Sequence, residues 1–358
     1  MKPVTKSPPI DAKKALKTLN VNKIWLPLIM GSCITAYLLY TRNAISYEML
    51  SLLSAPRWKY LCMMCLTVIL RELGQMLRLR IVTHKKLSWK TCFYVTMLWE
   101  FSSQVTPSVV GGGVVAIFLL VREGVRPGQA LAYVILIGIC DNLFFLITAS
   151  SSFLGHYEPI FAGLGALGSS AKITFFINYT ILSCYTATIF FGLFINPKLL
   201  KWILLKVTSI SILKRYRRAA YMLAQDIIVA SKQFQGERSL FWVQVFTCTL
   251  CTWIVRYAFV NCLMEAYVPL QLADHLLIFS KQIIMWAIML VPIAPGGSGI
   301  AEFFFQALYE DTLGSYTIAL DIAWRMFNFY LYLTLGAILL PKWLKKVAMQ
   351  QEVIKDTK

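Results

Sequence analysis

Long apolar runs recur from one end of this chain to the other, and the short segments between them hold most of its Lys and Arg. The hydrocarbon core of a bilayer is ~30 Å thick and takes about 20 helical residues to cross. Only helices and closed barrels satisfy their backbone there. The predicted fold class is therefore an all-α polytopic membrane protein. Of the 358 residues, 58% are hydrophobic and 15% charged, where a soluble domain carries about 25% charged. The longest hydrophilic block, 196–238, has 43 residues and still shows apolar helical spacing, which excludes a sizeable soluble catalytic domain.

Full spans are expected at 24–41, 58–77, 128–154, 171–195, 239–264 and 316–340. Two further apolar regions, 91–126 and 275–310, are each split into limbs too short to cross alone, and they read as re-entrant hairpins. With that assignment the net charge of +18 sorts by side, as the positive-inside rule requires. The basic N-terminal tail 1–23, the segments 78–90, 122–126 and 196–238, and the basic tail 342–358 fall on the cytoplasmic side of an inner (plasma) membrane. Segments 155–170, 265–274 and 309–315 lack Lys and Arg and fall outside. The charge is thus topological rather than a sign of nucleic acid, with a second use in holding anionic head groups. Segment 196–238 carries nine Lys or Arg against two acids and is expected to form one or two amphipathic helices on the membrane surface. The polar start of the chain does not resemble a cleaved signal peptide.

The two split regions break at Thr106–Gly113 and at Val291–Glu302. The second reads Val-Pro-Ile-Ala-Pro-Gly-Gly-Ser-Gly-Ile-Ala-Glu. Proline removes a backbone donor and glycine weakens a helix, so neither stretch continues a regular one. Irregular backbone at membrane depth is tolerated where protein or a wet cavity satisfies it, and transporters bind substrate at such places. An offset of 185 residues lays Pro107 on Pro292, Gly111 on Gly296, Gly112 on Gly297, Gly113 on Ser298 and Arg71 on Arg256. The charge rule gives the two units opposite directions. The reading is an inverted repeat, about 58–154 and 239–340, within a transmembrane domain at 24–341. The alternative is that the breaks arose independently.

Pro295-Gly296-Gly297-Ser298-Gly299-Ile-Ala-Glu302 resembles the Pro-Gly-Gly-x-Gly-x-x-Glu signature of the lysylphosphatidylglycerol synthase transmembrane-region family, also called flippase-like integral membrane proteins. Pro107-Ser-Val-Val-Gly111-Gly112-Gly113 resembles that family's first proline-glycine motif, and Arg71, Asp141, Arg256 and Arg325 fall where similar proteins carry charge. The resemblance covers about 24–340 and implies a membrane protein that moves or handles lipid. Members that aminoacylate lipid fuse this region to a soluble synthase domain, and this sequence is expected to act as a stand-alone member without it.

Charged side chains inside spans cost ~2.5–3.5 kcal/mol each on insertion scales, so they are candidate functional residues. Arg71, Pro107, Gly111, Gly112, Gly113, Asp141, Arg256, Pro295, Gly296, Gly297, Ser298, Gly299, Glu302 and Arg325 form the expected head-group site. Glu302 is expected in the first turn of a returning half-helix, where the dipole favours a carboxylate. Freed N–H groups at Gly296–Gly299 suit a phosphate, and Arg71 and Arg256 suit a phosphodiester. Equally, Glu302 could pair with one of those arginines for structure alone. Asp321 and Arg325, four apart, are expected to satisfy each other. Arg71 and Glu72 cannot share a helix face, and Glu100 is expected to point into the bundle. The spacings Cys62–Cys65 and Cys248–Cys251 lie inside spans without neighbouring His, and read as packing rather than metal or redox sites. No catalytic constellation, metal site or cofactor is expected. The expected function is transport of a lipid or lipid-linked precursor. The expected partners are membrane lipids, with a homo-oligomer or an envelope-biosynthesis protein as further possibilities. The alternatives are the membrane subunit of a lipid-modifying enzyme and a glycan-assembly partner.

Overall fold

The computed structural model describes residues 54–106, 109–161, 164, 165, 168–209, 214, 217–234, 236–290, 297 and 299–356. The expected span 24–41, the tail 1–23, and Pro107, Pro292, Pro295, Gly296 and Ser298 lie outside the described residues. All regular structure among the described residues is helical. Five stretches are long and apolar enough to cross a membrane: Trp58–Val82, Pro127–Phe153, Gly168–Ile195, Ser239–Glu265 and Ile300–Lys345. These contain the five expected full spans that fall in the described residues.

Helix α1 (Trp58–Val82) shows how a membrane inverts the usual burial pattern. Its buried stripe includes Met64, Arg71, Arg78 and Val82, while Leu66, Ile69, Leu70, Leu73 and Leu77 are exposed. Ionisable side chains face the bundle, and leucines face the region that lipid would fill. The first hairpin is α2 (Trp89–Val105) and α3 (Val109–Arg122), of 17 and 14 residues. Ser88 caps α2 by accepting the Thr91 N–H at 3.2 Å. At 1.5 Å per residue the limbs reach about 25 and 21 Å, short of the ~30 Å core. Helix α4 (Pro127–Phe161) follows, then α5 (Gly168–Phe190) with a π-helical turn at Phe191–Ile195. The expected amphipathic pair is α6 (Pro197–Val207) and α7 (Arg217–Gln233). The second half repeats the order: α8 (Ser239–Glu265), then a hairpin of α9 (Leu272–Ile288) and α10 (Ile300–Leu313), again 17 and 14 residues. Helix α11 (Thr317–Arg325), a π turn at Met326–Tyr330 and α12 (Leu331–Asp356) close the chain.

Three boundaries depart from expectation. Gly111, Gly112 and Gly113 are not part of a break, because α3 already begins at Val109. A Cβ at Gly112 would overlap the Ser103 hydroxyl, so glycine there serves close approach of the two limbs. Helix α4 continues through the first residues of the expected loop 155–170, to Phe161. Glu310 and Asp311 lie in the last turn of α10, and the reversal comes at Gly314, whose φ of +52° suits glycine.

Helices α1 and α8 run antiparallel along their length. Arg57 donates to the carbonyls of Glu265 and Val268, the Cys248 thiol donates to the Gly74 carbonyl at 3.3 Å, and Arg78 donates to Thr249 at 3.3 Å. The partners of Arg57 lie at the end of α8, while those of Gly74 and Arg78 lie near Cys248 in its first half. Gly74 permits the approach, since a Cβ would strike the buried Thr252 side chain. Each hairpin packs on the long closing helix of the other half. Limb α2 lies against α12, where Gly336 sits over Phe101, and α9 lies against α4, where Phe145 and Trp286 stack at 3.3 Å.

The apolar interior is split in two. One core joins the first hairpin to the ends of α1, α4 and α8 near Met76, Tyr133 and Val245. The other joins the second hairpin to α4 and α8 near Phe144 and Tyr257. On α4 the change from one core to the other falls between Cys140 and Phe144, and Asp141 occupies it. On α1 the change falls between Met64 and Met76, and it brackets Arg71 and Glu72. A polar seam therefore lies between two apolar cores.

Candidate functional site

The seam is built from α1, α2, α8 and the final π turn. Arg71 enters it from α1 with a side chain only 3% exposed. Its Nη2 lies 3.2 Å from Glu100 Oε2, and its Nε lies 3.3 Å from Glu72 Oε1. Arg256 arrives from α8 and donates to the other oxygen of Glu100 at 3.3 Å. Two arginines from antiparallel helices thus converge on one carboxylate of the first hairpin. Nη1 of Arg71 donates to Asn328 Oδ1 at 3.2 Å, and its guanidinium sits 4.7 Å from the centre of the Tyr332 ring. The Tyr332 hydroxyl donates to Glu72 at 2.5 Å, and Gln104 donates to the Asn328 carbonyl at 3.3 Å. Asn328 lies in the π turn Met326–Tyr330, a distortion often found at functional sites. Arg256 also rests over Trp253, 4.8 Å from the ring centre.

The arginine geometry is unsaturated. The Nε and Nη2 atoms of Arg71 are buried and within ion-pair range, yet neither makes a hydrogen bond. Those two N–H groups form the edge of guanidinium that takes a carboxylate or phosphate in bidentate fashion. Here the edge faces two acids on different helices rather than one anion that matches it. The seam is also not sealed, since Glu100 keeps 14% and Arg256 22% of side-chain exposure.

Two turns along α1, Arg78 pairs with Asp141 of α4 and also donates to Gln75 at 2.6 Å and Thr249 at 3.3 Å. Trp253 Nε1 donates to Asp141 at 2.7 Å, so the tryptophan beneath Arg256 ties this second ion pair to the first cluster.

The second hairpin has its own cluster. Gly297 and Gly299 adopt φ of +67° and +89°, a region open to glycine. Glu302, in the first turn of α10 as expected, accepts the Gly299 N–H at 2.7 Å on Oε2. Its other oxygen accepts Arg325 Nε at 2.7 Å, and both side chains are almost wholly buried. Glu302 therefore pairs with neither Arg71 nor Arg256, which are held at Glu100 on the other hairpin. Arg325 pairs with Glu302 and not with Asp321, whose Oδ2 instead accepts Gln306 Nε2 at 2.8 Å.

A family model described as the lysylphosphatidylglycerol synthase TM region matches residues 14–336. The chain belongs to that family. It is also 24% identical over 328 residues to a UPF0104 membrane protein of Archaeoglobus fulgidus, across 87% of this chain and 94% of that one. No solved structure matches it.

Within this member of the family, the expected site divides. Arg71 and Arg256 come together, Asp141 joins them through Trp253, and Glu302, Gly299 and Arg325 form a separate group. Gly112 faces Ser103 on the other limb of the first hairpin, and Gly113 faces Val134 of α4. Arg78, Gln104, Asn328 and Tyr332 were not anticipated. Arg78 had been grouped with the cytoplasmic arginines and lysines, yet it is 3% exposed and paired inside the bundle. Its spacing of seven from Arg71, two helical turns on one face, was the available signal. The cysteine pairs hold no special geometry: Cys62, Cys65 and Cys251 are exposed on their helices, and Cys248 bonds a carbonyl.

Proposed function

We propose that this membrane protein moves a lipid or lipid-linked precursor across the bilayer and holds its anionic head group at the Arg71–Arg256 seam. The observation that carries the reading is the convergence of both arginines on Glu100, with the bidentate edge of Arg71 lacking hydrogen bonds. A phosphodiester entering beside Arg256 can replace Glu100 as the bridging anion. The displaced carboxylate then frees the first hairpin from the α1–α8 pair. Two halves with the same element order, limbs of 17 and 14 residues in each hairpin, and each hairpin packed on the other half's closing helix support an inverted repeat and alternating access between the halves. The orientation that accompanies this reading has cytoplasmic termini in a plasma or inner membrane and no chemical step on the lipid.

Reconstitution into liposomes with fluorescent anionic lipids tests it. Wild type should accelerate transbilayer movement, and Arg256→Gln should abolish the acceleration. Unchanged movement in wild type across a panel of anionic lipids and ion gradients would sink the reading. The name of the family favours one second reading, a membrane partner of a lipid-modifying synthase. Covalently modified lipid formed only when a synthase is added to this protein would favour that instead.

A further inference from the structure

Carboxylates outnumber cations in the second-hairpin cluster. Glu302 and Asp321 are both 2% exposed, and one arginine, Arg325, serves them. Glu302 has a donor on each oxygen, the Gly299 N–H and Arg325 Nε, each at 2.7 Å. Asp321 has only a neutral amide, Gln306 Nε2 at 2.8 Å on Oδ2, while Oδ1 is buried with no hydrogen-bond partner. Among the described residues, the other charged groups near it are Glu302 on α10 and Arg325 on its own helix. Helix α8, which also packs on α11, gives it neither hydrogen bond nor ion pair among the described residues. The turn before α11 offers only Tyr316, which lies against Tyr267.

An ionised carboxylate in apolar surroundings without a cation is unstable enough to take up a proton instead. We propose that Asp321 is a proton-binding site, neutral while Arg325 is held by Glu302, and that its loss of the proton draws Arg325 away from Glu302. The two positions are four apart, one above the other on the helix. Arg325 can therefore exchange a partner on α10 for one on its own helix. In the protonated state the proton sits on Oδ1, the oxygen with no donor, and Glu302 keeps both its arginine and the capped Gly299. After the proton leaves, Arg325 neutralises Asp321, and Glu302 keeps only the Gly299 N–H. The clamp between α11 and the glycine break of the second hairpin is then open. As the coupling step of a transport cycle this rests on the reading above; as a proton site it does not.

The two claims separate by experiment. Infrared spectra of the purified protein in lipid nanodiscs report the C=O stretch of a neutral carboxylic acid. At neutral pH the wild-type-minus-Asp321→Asn difference should contain that band. Asparagine keeps the shape and the acceptor for Gln306, so the variant should fold. Glu302→Gln, which leaves Arg325 to Asp321, should remove the same band. Raising the pH of wild type alone should also diminish it, which keeps the proposal open to refutation even if a variant misfolds. A difference spectrum without the band overturns the proton site. Persistence of the band in wild type to the highest pH at which the protein stays folded also overturns it, because the site would then never release its proton. In liposomes, an imposed pH gradient should drive lipid movement in wild type and fail to do so in Asp321→Asn. A band present with no lipid movement in any condition would keep the proton site and end the transport reading.

Discussion

Glu100→Gln is the substitution that tests the seam most directly. Glutamine preserves shape and one acceptor but removes the carboxylate that Arg71 and Arg256 share, at 3.2 and 3.3 Å. Removing one partner of a buried pair costs about 3–5 kcal/mol, because the remaining charge is left without compensation. Arg71 keeps Glu72 at 3.3 Å, which pulls the expected loss toward the lower end, about 3 kcal/mol. Arg256→Gln should cost less, since its side chain is 22% exposed and Glu100 still has Arg71. The decisive quantity is the interaction between sites. In a Glu100→Gln background, Arg71→Met should recover part of the loss, giving a coupling of about 0.5–3 kcal/mol, the range of residues in direct contact. Steric-trapping equilibria in bicelles give the required free energies under native lipid conditions. Additive losses, with no coupling, would show that the arginine does not depend on Glu100 and would refute the geometry of the seam.

Four further predictions concern packing, strain and hydrogen bonding. Gly336→Ala places a Cβ into the fully buried Phe101 ring and should cost about 1–3 kcal/mol as overpacking, read by thermal stability. Gly112→Ala gains helix propensity but meets the Ser103 hydroxyl and, at 3.2 and 3.4 Å, its Cβ and Cα where the limbs approach, so the same assay should find a loss of about 1 kcal/mol, the low end for overpacking. Gly299→Ala forces a side chain onto a φ of +89° and should lose about 1–2 kcal/mol, with Glu302 losing its capped N–H. Tyr332→Phe keeps the ring beneath Arg71 but removes the 2.5 Å bond to Glu72. A hydrogen bond to a charged group is worth about 1.5–3 kcal/mol, so chemical denaturation should shift by that amount.

The helical bundle was legible because bilayer thickness and charge sorting act on whole segments, which a sequence displays directly. The pairing of short limbs was legible for the same reason: each split apolar region yields helices of 17 and 14 residues, shorter than the other spans. Partner choice was not legible. Asp321 and Arg325 share a face, which sequence spacing reveals, but Arg325 prefers Glu302, which spacing across a turn cannot reveal. Arg78 sits near the end of a span, and whether such an arginine reaches head groups or a buried aspartate depends on how α4 is placed against α1. Gly111–Gly113 looked like a break because glycine lowers helix propensity. In the fold the helix runs through them, and at Gly112 the missing side chain lets the limbs of the hairpin approach, a packing that outweighs the propensity.

The two hairpins use one plan for different ends. In the first, the glycines are inside α3, and the ionic link comes from Glu100 near the end of α2, reaching across to α1 and α8. In the second, the glycines with positive φ precede α10, and the ionic link is the capping residue itself, Glu302, reaching to α11. Each link joins a half-crossing element to a full span through a carboxylate–arginine contact among apolar cores. Neither hairpin can shift without separating its pair, and separating a buried pair is costly unless another charge takes the vacant place. In the readings proposed above, that charge is an anion at Arg71 and Arg256 for the first hairpin and the Asp321 carboxylate at Arg325 for the second. On those proposals head-group binding and proton release would each free one hairpin of the same bundle, the way two ligands bias one conformational equilibrium.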